Sequence, residues 1–189
     1  MSGQEDFLKK LIDALENAGI PYMVSGSIGS SFHGRPRATN DFDVIVAPSR
    51  EQLSSLISTL GSECYLNSET AQEALKNTTI FNVIDHGTGT KADLILLRQR
   101  DFSRQEFQRR QKVNVLGIDI WIVSPEDAIL SKLEWCRDSE STMHLQDALG
   151  VAVVQWEKLD RTYLKKWANK LQLEGQLEQL LNEAQKLLD

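Results

Sequence analysis

The sequence predicts an α+β protein, in which a small mixed β-sheet with flanking helices is followed by a C-terminal helical region. Short runs of β-branched and aromatic residues, bounded by turn residues, indicate strands in the first two thirds of the chain. Apolar residues at helical spacing lie between these runs, and only helical patterns remain from about residue 124 onward. We therefore predict two domains: an α/β core over residues 1–123, and a helical region over residues 124–189 that packs on it.

The length and composition are those of a soluble globular protein, with 189 residues of which 41% are hydrophobic and 25% charged. No apolar run approaches the roughly 20 residues that cross a bilayer, and acidic residues occupy the region where a signal peptide would be basic. We therefore expect a cytoplasmic protein with no membrane partner.

The net charge of −6 argues against indiscriminate coating of nucleic acid. Cys64 and Cys136 lie far apart, which makes a disulfide framework or zinc site unexpected.

An amphipathic helix and a short strand open the chain. Apolar residues recur at helical spacing over residues 5–18, and Gly19 and Pro21 are residues that end a helix. Packing against the core is the favoured interpretation of this helix, and binding of a partner is the alternative. The strand that follows is predicted over Tyr22–Val24.

A step of two small residues, Gly26 and Ser27, follows this strand and precedes a predicted short helix over residues 28–33. Glycine permits a tight turn, and the unpaired N–H groups of a first helical turn favour an anion. The step is therefore a candidate phosphate cradle, although many helices begin with Gly or Ser merely as caps. In the loop beyond it, Arg35 and Arg37 are solvated charges, or form salt bridges to the two aspartates that open the next strand, or contact substrate phosphates.

Two aspartates open the second strand, which is predicted through Val46. Asp41 and Asp43 alternate with Phe42, so their carboxylates share one face of the strand. Like charges at this separation repel each other unless a cation lies between them. This pair is the main reason to expect a metal-dependent enzyme.

A third aspartate interrupts an apolar run over residues 91–97, which predicts a strand in the centre of the sheet. An unpaired buried carboxylate is costly, so Asp93 has a partner or a metal, or it lies at the exposed start of the strand. The intervening segments predict helices over 49–60 and 68–76, strands over 64–66 and 79–84, and a hairpin-like loop over 85–90. The pair on the second strand favours Asp93 as a third member of one site.

A basic run covers residues 98–112, where six cationic side chains stand against two acidic ones. Phe102 and Phe107 anchor the helix predicted there. A solvated face is the usual interpretation, and contact with a polyanion such as RNA is the alternative. Strands flanking Gly117 are predicted next, over residues 113–116 and 118–123.

The helical region begins with a strong start signal, in which Ser124 is the N-cap, Pro125 takes the first helical position and Asp127 is the reciprocal acid. This helix carries Lys132. A second helix, predicted over residues 144–155, carries Asp147 near its start, and two further helices follow from Asp160 to the end of the chain.

The stretch from Val24 to Val44 resembles the signature of the nucleotidyltransferase superfamily, the DNA polymerase β-like fold. That signature is a hydrophobic residue, Gly, then Gly or Ser, a spacer, and an acid–hydrophobic–acid–hydrophobic run. Here the Gly-Ser step is followed by thirteen residues and then by DFDV at 41–44, and Asp93 fits the place of the family's third carboxylate. Within the superfamily, RATNDFDVIV and VSPEDAILSKLEW resemble the small stand-alone bacterial group that includes the AbiEii-type toxin enzymes.

The resemblance implies a nucleotidyltransferase that moves a nucleoside monophosphate from a nucleoside triphosphate (NTP) to a hydroxyl acceptor and releases pyrophosphate. Two Mg²⁺ ions, or Mn²⁺ in their place, would be held by the catalytic carboxylates of Asp41, Asp43 and Asp93. Asp93 would bind the catalytic metal or deprotonate the nucleophile. The resemblance assigns nucleotide-binding roles to six residues: Gly26, Ser27, Arg37, Thr39, Lys132 and Asp147.

The acceptor stays open among small molecules, tRNA and proteins, and a homodimer is compatible with the sequence. The alternative function is a catalytically silent nucleotide-binding module, or a toxin–antitoxin-type module that binds a protein partner on the same fold. All three acids are present, which favours catalysis.

Overall fold

The structure is a computed structural model that describes residues 3–39, 41–115, 117–139 and 142–189. These residues form one mixed seven-stranded sheet and nine helices, which confirms the predicted α+β class. The strands are β1 (Tyr22–Val24), β2 (Asp41–Val46), β3 (Cys64–Tyr65), β4 (Ile80–Asp85), β5 (Lys91–Leu96), β6 (Gln111–Val115) and β7 (Ile118–Ile122). The helices are α1 (Gly3–Asn17), α2 (Gly26–His33), α3 (Arg50–Leu60), α4 (Ser68–Asn77), α5 (Asp101–Gln108), α6 (Pro125–Ser139), α7 (Thr142–Val154), α8 (Arg161–Leu171) and α9 (Glu174–Lys186).

The chain divides into two compact units. The first unit comprises Met1–Val24 and Thr39–Ile122, and the second comprises Ser25–Ala38 and Val123–Asp189. The predicted division at residue 123 differs from this grouping in one segment, because residues 25–38 belong with the helices of the second unit. The reason is that α2 packs against α6 and α7.

The first unit contains the whole sheet, with the strand order β3-β4-β5-β2-β1-β7-β6. β2 pairs with β5 in parallel, and β1 pairs with β7 in parallel, whereas the other pairings are antiparallel. The run over residues 91–97 was predicted to be central because it is apolar, and β5 is the third of the seven strands. The sheet therefore places β2 and β5 side by side in its interior.

One face of this sheet carries the core of the first unit. Phe42, Val44 and Val46 alternate along β2 and are buried, and the Phe42 ring stacks on Phe7 of α1 with a centroid distance of 5.8 Å. α3 begins with a capping box in which Ser49 accepts from the Gln52 backbone N–H, and it buries its leucines. Because side chains alternate along a strand, the aspartates of β2 point away from this core.

The second unit is built from α2 and from α6 to α9, and it has its own core of small and aliphatic side chains. Its backbone segments approach each other closely at Gly34, where a Cβ atom would stand 2.6 Å from the Val151 backbone nitrogen. Ser124 begins α6 as predicted: its hydroxyl accepts from the Asp127 N–H at 3.3 Å. The same hydroxyl donates to Asp127 Oδ2 at 2.6 Å, so the Asp127 carboxylate accepts a hydrogen bond from the side chain of the N-cap residue.

Helix α2 begins two residues earlier than predicted, at Gly26, so the Gly-Ser step forms its first turn. The turn expected at Asn40 and the strand end expected at Leu116 lie outside the described residues. Among the helices that the described residues form, none combines the length and the apolar character needed to cross a membrane.

Candidate active site

The pairing of β2 with β5 brings the three predicted carboxylates to one face of the sheet. In this parallel register Asp41 stands opposite Lys91, and Asp43 stands opposite Asp93. Neighbouring strands lie about 4.8 Å apart, and residues in register point to the same face. Asp41, Asp43 and Asp93, together with Lys91, therefore form what we call the carboxylate face.

Asp93 has two defined hydrogen-bond donors on this face. Lys91 Nζ donates to Asp93 Oδ2 at 3.2 Å, and Asn82 Nδ2, on the facing strand β4, donates to Asp93 Oδ1. Lys91 Nζ also lies 3.9 Å from Asp41 Oδ1, so it bridges two of the three carboxylates. The hydrogen bond to Asp93 raises the pKa of the Lys91 ammonium group above its ordinary value, which keeps it charged.

The three carboxylates have the chemistry that a magnesium site requires, and their strands bring them to one face of the sheet. Mg²⁺ prefers hard oxygen ligands and commonly shares them with substrate phosphates. Asp43 and Asp93 lie directly opposite each other, and Asp41 lies two residues away on the same face. As the side chains stand, no three His, Cys, Asp or Glu side chains within the described residues form a group that could hold a metal ion. The metal-ligand assignment therefore stays a prediction.

Thr39, predicted to bind nucleotide, supports the start of β2. Its hydroxyl donates to the Asp41 carbonyl at 3.2 Å and accepts from the Asp41 N–H at 3.5 Å. Its own carbonyl accepts from Gln4 Nε2 at 3.4 Å. These contacts position the backbone before the carboxylate face, and a role in nucleotide binding stays a prediction.

The Gly-Ser step in the second unit opens α2. Gly26 has a φ angle of 58°, in the left-handed region that favours glycine. The preceding Ser25 makes no side-chain capping bond to the described residues, so its side chain does not satisfy the first-turn N–H groups. Ser30 stabilises the turn instead from the other side, donating to the Gly26 carbonyl at 3.1 Å. Unsatisfied first-turn N–H groups favour an anion, and phosphate binding at this turn stays a prediction.

Arg37, Asp147 and Lys132 form a partly buried charge network in the second unit, which we call the Asp147 network. Arg37 Nε donates to Asp147 Oδ1 at 2.9 Å, and Arg37 Nη2 donates to Asp147 Oδ2 at 3.3 Å. Lys132 Nζ donates to Asp147 Oδ2 at 2.7 Å, and Arg37 Nη2 also donates to the Ser27 hydroxyl. Four of the six predicted nucleotide-binding residues are thus connected by hydrogen bonds.

Two opposing effects act on the pKa of Asp147. Burial favours the neutral acid and raises the pKa, whereas hydrogen bonds from Arg37 and Lys132 favour the carboxylate; the net result is a pKa below the ordinary value. The side chains of Asp147 and Lys132 are each only 7% exposed, against 30% for Arg37. Asp147 is therefore an ionised carboxylate that holds two cations beside the first turn of α2.

Two histidines in the second unit, His33 and His144, make contacts that indicate a structural role. His33 is buried, and its Nε2–H donates to the Val123 carbonyl at 2.6 Å. His144 packs near Trp135 with a ring-centroid distance of 6.3 Å. Burial, and then the nearby charge of Lys132, lowers the pKa of His144.

Several cationic side chains of the basic run over residues 98–112 make contacts within the protein. Arg104 pairs with Asp101 at 2.8 Å, and Arg100 Nε donates to Ser103 Oγ at 2.9 Å. The Arg110 guanidinium lies over the rings of Phe107 and Trp121, at 4.3 and 5.0 Å. These contacts favour a structural role for much of the run, and RNA binding stays an untested alternative.

Lys91 and Asn82 were not singled out from the sequence. The spacing could have identified Lys91, because a residue two positions before Asp93 on the same strand points to the same face of the sheet as Asp93. The predicted hairpin-like loop over 85–90 could have identified Asn82. A tight connection between β4 and β5 sets their register, and this register pairs Asn82 with Asp93.

The chain belongs to the family of nucleotidyltransferases of unknown function designated DUF6036, whose match covers residues 6–186. By family it is therefore a nucleotidyltransferase, as the Gly-Ser step and the carboxylates predicted. No match was found among curated protein sequences.

Several solved structures are similar to this chain in fold. An antigenic nucleotidyltransferase-like protein from Paracoccidioides brasiliensis is 16% identical, with a TM-score of 0.57 over 96% of this chain and 93% of that one. The antibiotic-resistance factor ANT(2'')-Ia in solution is 12% identical, with a TM-score of 0.56 over 97% and 95% of the two chains. Its complex with adenylyl-2''-tobramycin matches over 100% of both chains, with a TM-score of 0.55 at 12% identity. At these identities the likeness shows the fold alone.

Proposed function

We propose that this protein transfers a nucleoside monophosphate from an NTP to a hydroxyl acceptor and releases pyrophosphate. The observation that carries the proposal is the register of β2 with β5, which sets Asp43 opposite Asp93 with Asp41 on the same face. Family membership supports the reaction class. A fold neighbour bound to an adenylyl-tobramycin supports a nucleotidylated product, while small molecules, RNA and proteins all stay candidate acceptors for this chain.

The carboxylate face supplies the reacting groups of the proposed mechanism. Asp41 and Asp43 would hold Mg²⁺ or Mn²⁺, and Asp93 would complete the ligand set or take the hydroxyl proton at Oδ2. The acceptor oxygen bonds to the α-phosphorus while the bond from that phosphorus to the bridging oxygen of the β-phosphate breaks, so pyrophosphate leaves with the electron pair. The chemistry supplied by bound Mg²⁺ is neutralisation of the phosphate charge and activation of the hydroxyl.

The Asp147 network and the first turn of α2 would bind the donor's phosphates. Backbone N–H groups after Gly26, with the Ser27 hydroxyl, suit phosphate oxygens. Arg37 and Lys132 would neutralise the triphosphate charge. Asp147, which touches both cations, would orient them.

Pyrophosphate release from each NTP, measured with and without Mg²⁺, tests the proposal in the presence of a cell extract that supplies acceptors. Asp43→Asn and Asp41→Asn should each lower the Mg²⁺-dependent rate about 100-fold or more, because several kcal/mol of charge stabilisation are lost. Asp119→Asn is the matched control: it removes an exposed carboxylate from β7 of the same sheet.

Unchanged turnover in the Asp41→Asn/Asp43→Asn double variant would place the active site elsewhere. Mg²⁺-dependent NTP binding without any turnover in the wild type would instead support the silent nucleotide-binding module.

A further inference from the structure

Lys91 is the charged residue of the carboxylate face for which the proposed reaction has no role. It stands opposite Asp41 in the β2–β5 register and two residues before Asp93 on β5. Its ammonium group contacts both of these aspartates, at 3.9 and 3.2 Å. A lysine on a strand thus occupies the side of the sheet where three predicted metal ligands lie.

The orientation of Asp93 strengthens this contact. Asn82 on β4 binds Asp93 Oδ1, which leaves Oδ2 as the oxygen that accepts from Lys91. The Asp93 side chain is 22% exposed and that of Lys91 36%, so the pair is partly shielded from solvent. Shielding strengthens an ion pair relative to one in open water. The lysine is therefore a specific partner of the carboxylates.

We propose that Lys91 is a tethered counter-ion of the carboxylate face that competes with divalent metal for Asp93 and Asp41. Three carboxylates and one ammonium group leave a net charge of minus two, which a single divalent ion balances. A second divalent ion then requires further negative charge, and the donor's triphosphate carries it. Lys91 thereby weakens metal binding to the protein alone and links full metal loading to the arrival of the NTP.

Titration with Mn²⁺ in the absence of nucleotide, followed by electron paramagnetic resonance of the free ion, tests this inference. Lys91→Met should bind Mn²⁺ roughly tenfold more tightly than the wild type at low salt, because a unit charge about 5 Å from a divalent ion is removed. The difference should shrink as ionic strength rises. Lys91→Arg should stay close to the wild type, since it keeps the charge.

The matched control is Lys112→Met, which removes the same charge from an exposed position on β6. It should leave the Mn²⁺ affinity unchanged. A second readout guards against a folding defect: Mn²⁺ should raise the unfolding midpoint of Lys91→Met more than that of the wild type, because tighter binding stabilises the folded state more.

This inference rests on the metal site of the proposed function, and the two fail differently. If Lys91→Met/Asp43→Asn binds Mn²⁺ as tightly as Lys91→Met, and Asp43→Asn as tightly as the wild type, the proposed metal site is wrong and the inference falls with it. If Asp43→Asn abolishes binding while Lys91→Met binds no more tightly than the wild type, or Lys112→Met tightens binding as much, the metal site stands and the role of Lys91 is overturned.

Discussion

At the scale of the residue, Asp147 is the side chain on which the second unit's charges depend. It accepts hydrogen bonds from Arg37 and Lys132, and its side chain and that of Lys132 are each 7% exposed. Breaking a buried ion pair leaves an uncompensated charge, which costs more than the pair contributes relative to apolar residues. Removal of the Asp147 carboxylate would therefore leave two cations without their shared partner.

Replacing Asp147 by Asn should lower the free energy of unfolding at pH 7 by about 3 kcal/mol, measured by urea denaturation. Asp101→Asn is the control: it breaks the exposed pair with Arg104 and should change stability little. A loss no larger than that of the control would contradict a buried network.

The stability that the Asp147 carboxylate contributes should depend on pH. The folded pKa of Asp147 is lowered, so its contribution to stability is present above the unfolded value of about 3.9 and is lost as pH falls through the lower folded value. The stability difference between the wild type and Asp147→Asn should therefore be constant from pH 7 to about 5 and shrink below about 4. A difference that grows on acidification would have the wrong sign.

At the scale of the element, the approach of α2 to α7 depends on Gly34. A Cβ at this position would meet only backbone atoms at close range, namely the Val151 nitrogen at 2.6 Å, the Gly150 carbonyl carbon at 2.8 Å and the Ser30 oxygen at 2.9 Å. Backbone cannot rotate away as a side chain can. The glycine is required here for space, since its φ angle of −129° is open to any residue.

Gly34→Ala should destabilise the protein by about 1–3 kcal/mol, as overpacking of a closed contact does, and should lower affinity for NTP because α2 carries the Gly-Ser step. Gly175→Ala is the control, since a Cβ there meets nothing within 4 Å and alanine favours the first turn of α9. Thermal unfolding of both variants measures the contrast. Equal unfolding midpoints for the two variants would contradict the tight approach.

The elements show how far local pattern predicts structure. The alternation in DFDVIV placed Asp41 and Asp43 on one face, and the Ser-Pro-Glu-Asp run placed the start of α6, because both depend on neighbours in sequence. The start of α2 at Gly26 was missed, because a Gly-Ser step can either precede a helix or form its first turn, and local sequence does not distinguish the two. The spacing of two residues predicted that Lys91 and Asp93 share a face, but it did not predict which Asp93 oxygen accepts from Lys91.

At the scale of the whole molecule, the sequence could not predict contacts between distant segments. The partner of Arg37 is Asp147, 110 residues further along the chain, whereas the sequence offered Asp41 and Asp43 as its salt-bridge partners. The grouping of residues 25–38 with the C-terminal helices has the same origin. Such pairings depend on packing, which periodicity does not report. Family membership supplies the reaction class, and the acceptor is left to experiment.

The position of a radioactive phosphate after the reaction shows whether this chain transfers a nucleoside monophosphate. Each NTP, labelled at either the α- or the γ-phosphate, is incubated with the protein, Mg²⁺ and a fractionated cell extract. We expect label from the α-phosphate to appear covalently on one acceptor fraction and label from the γ-phosphate to appear in pyrophosphate, with neither result for Asp43→Asn. Transfer of the γ-label to an acceptor, or equal α-transfer by Asp43→Asn, would contradict the account.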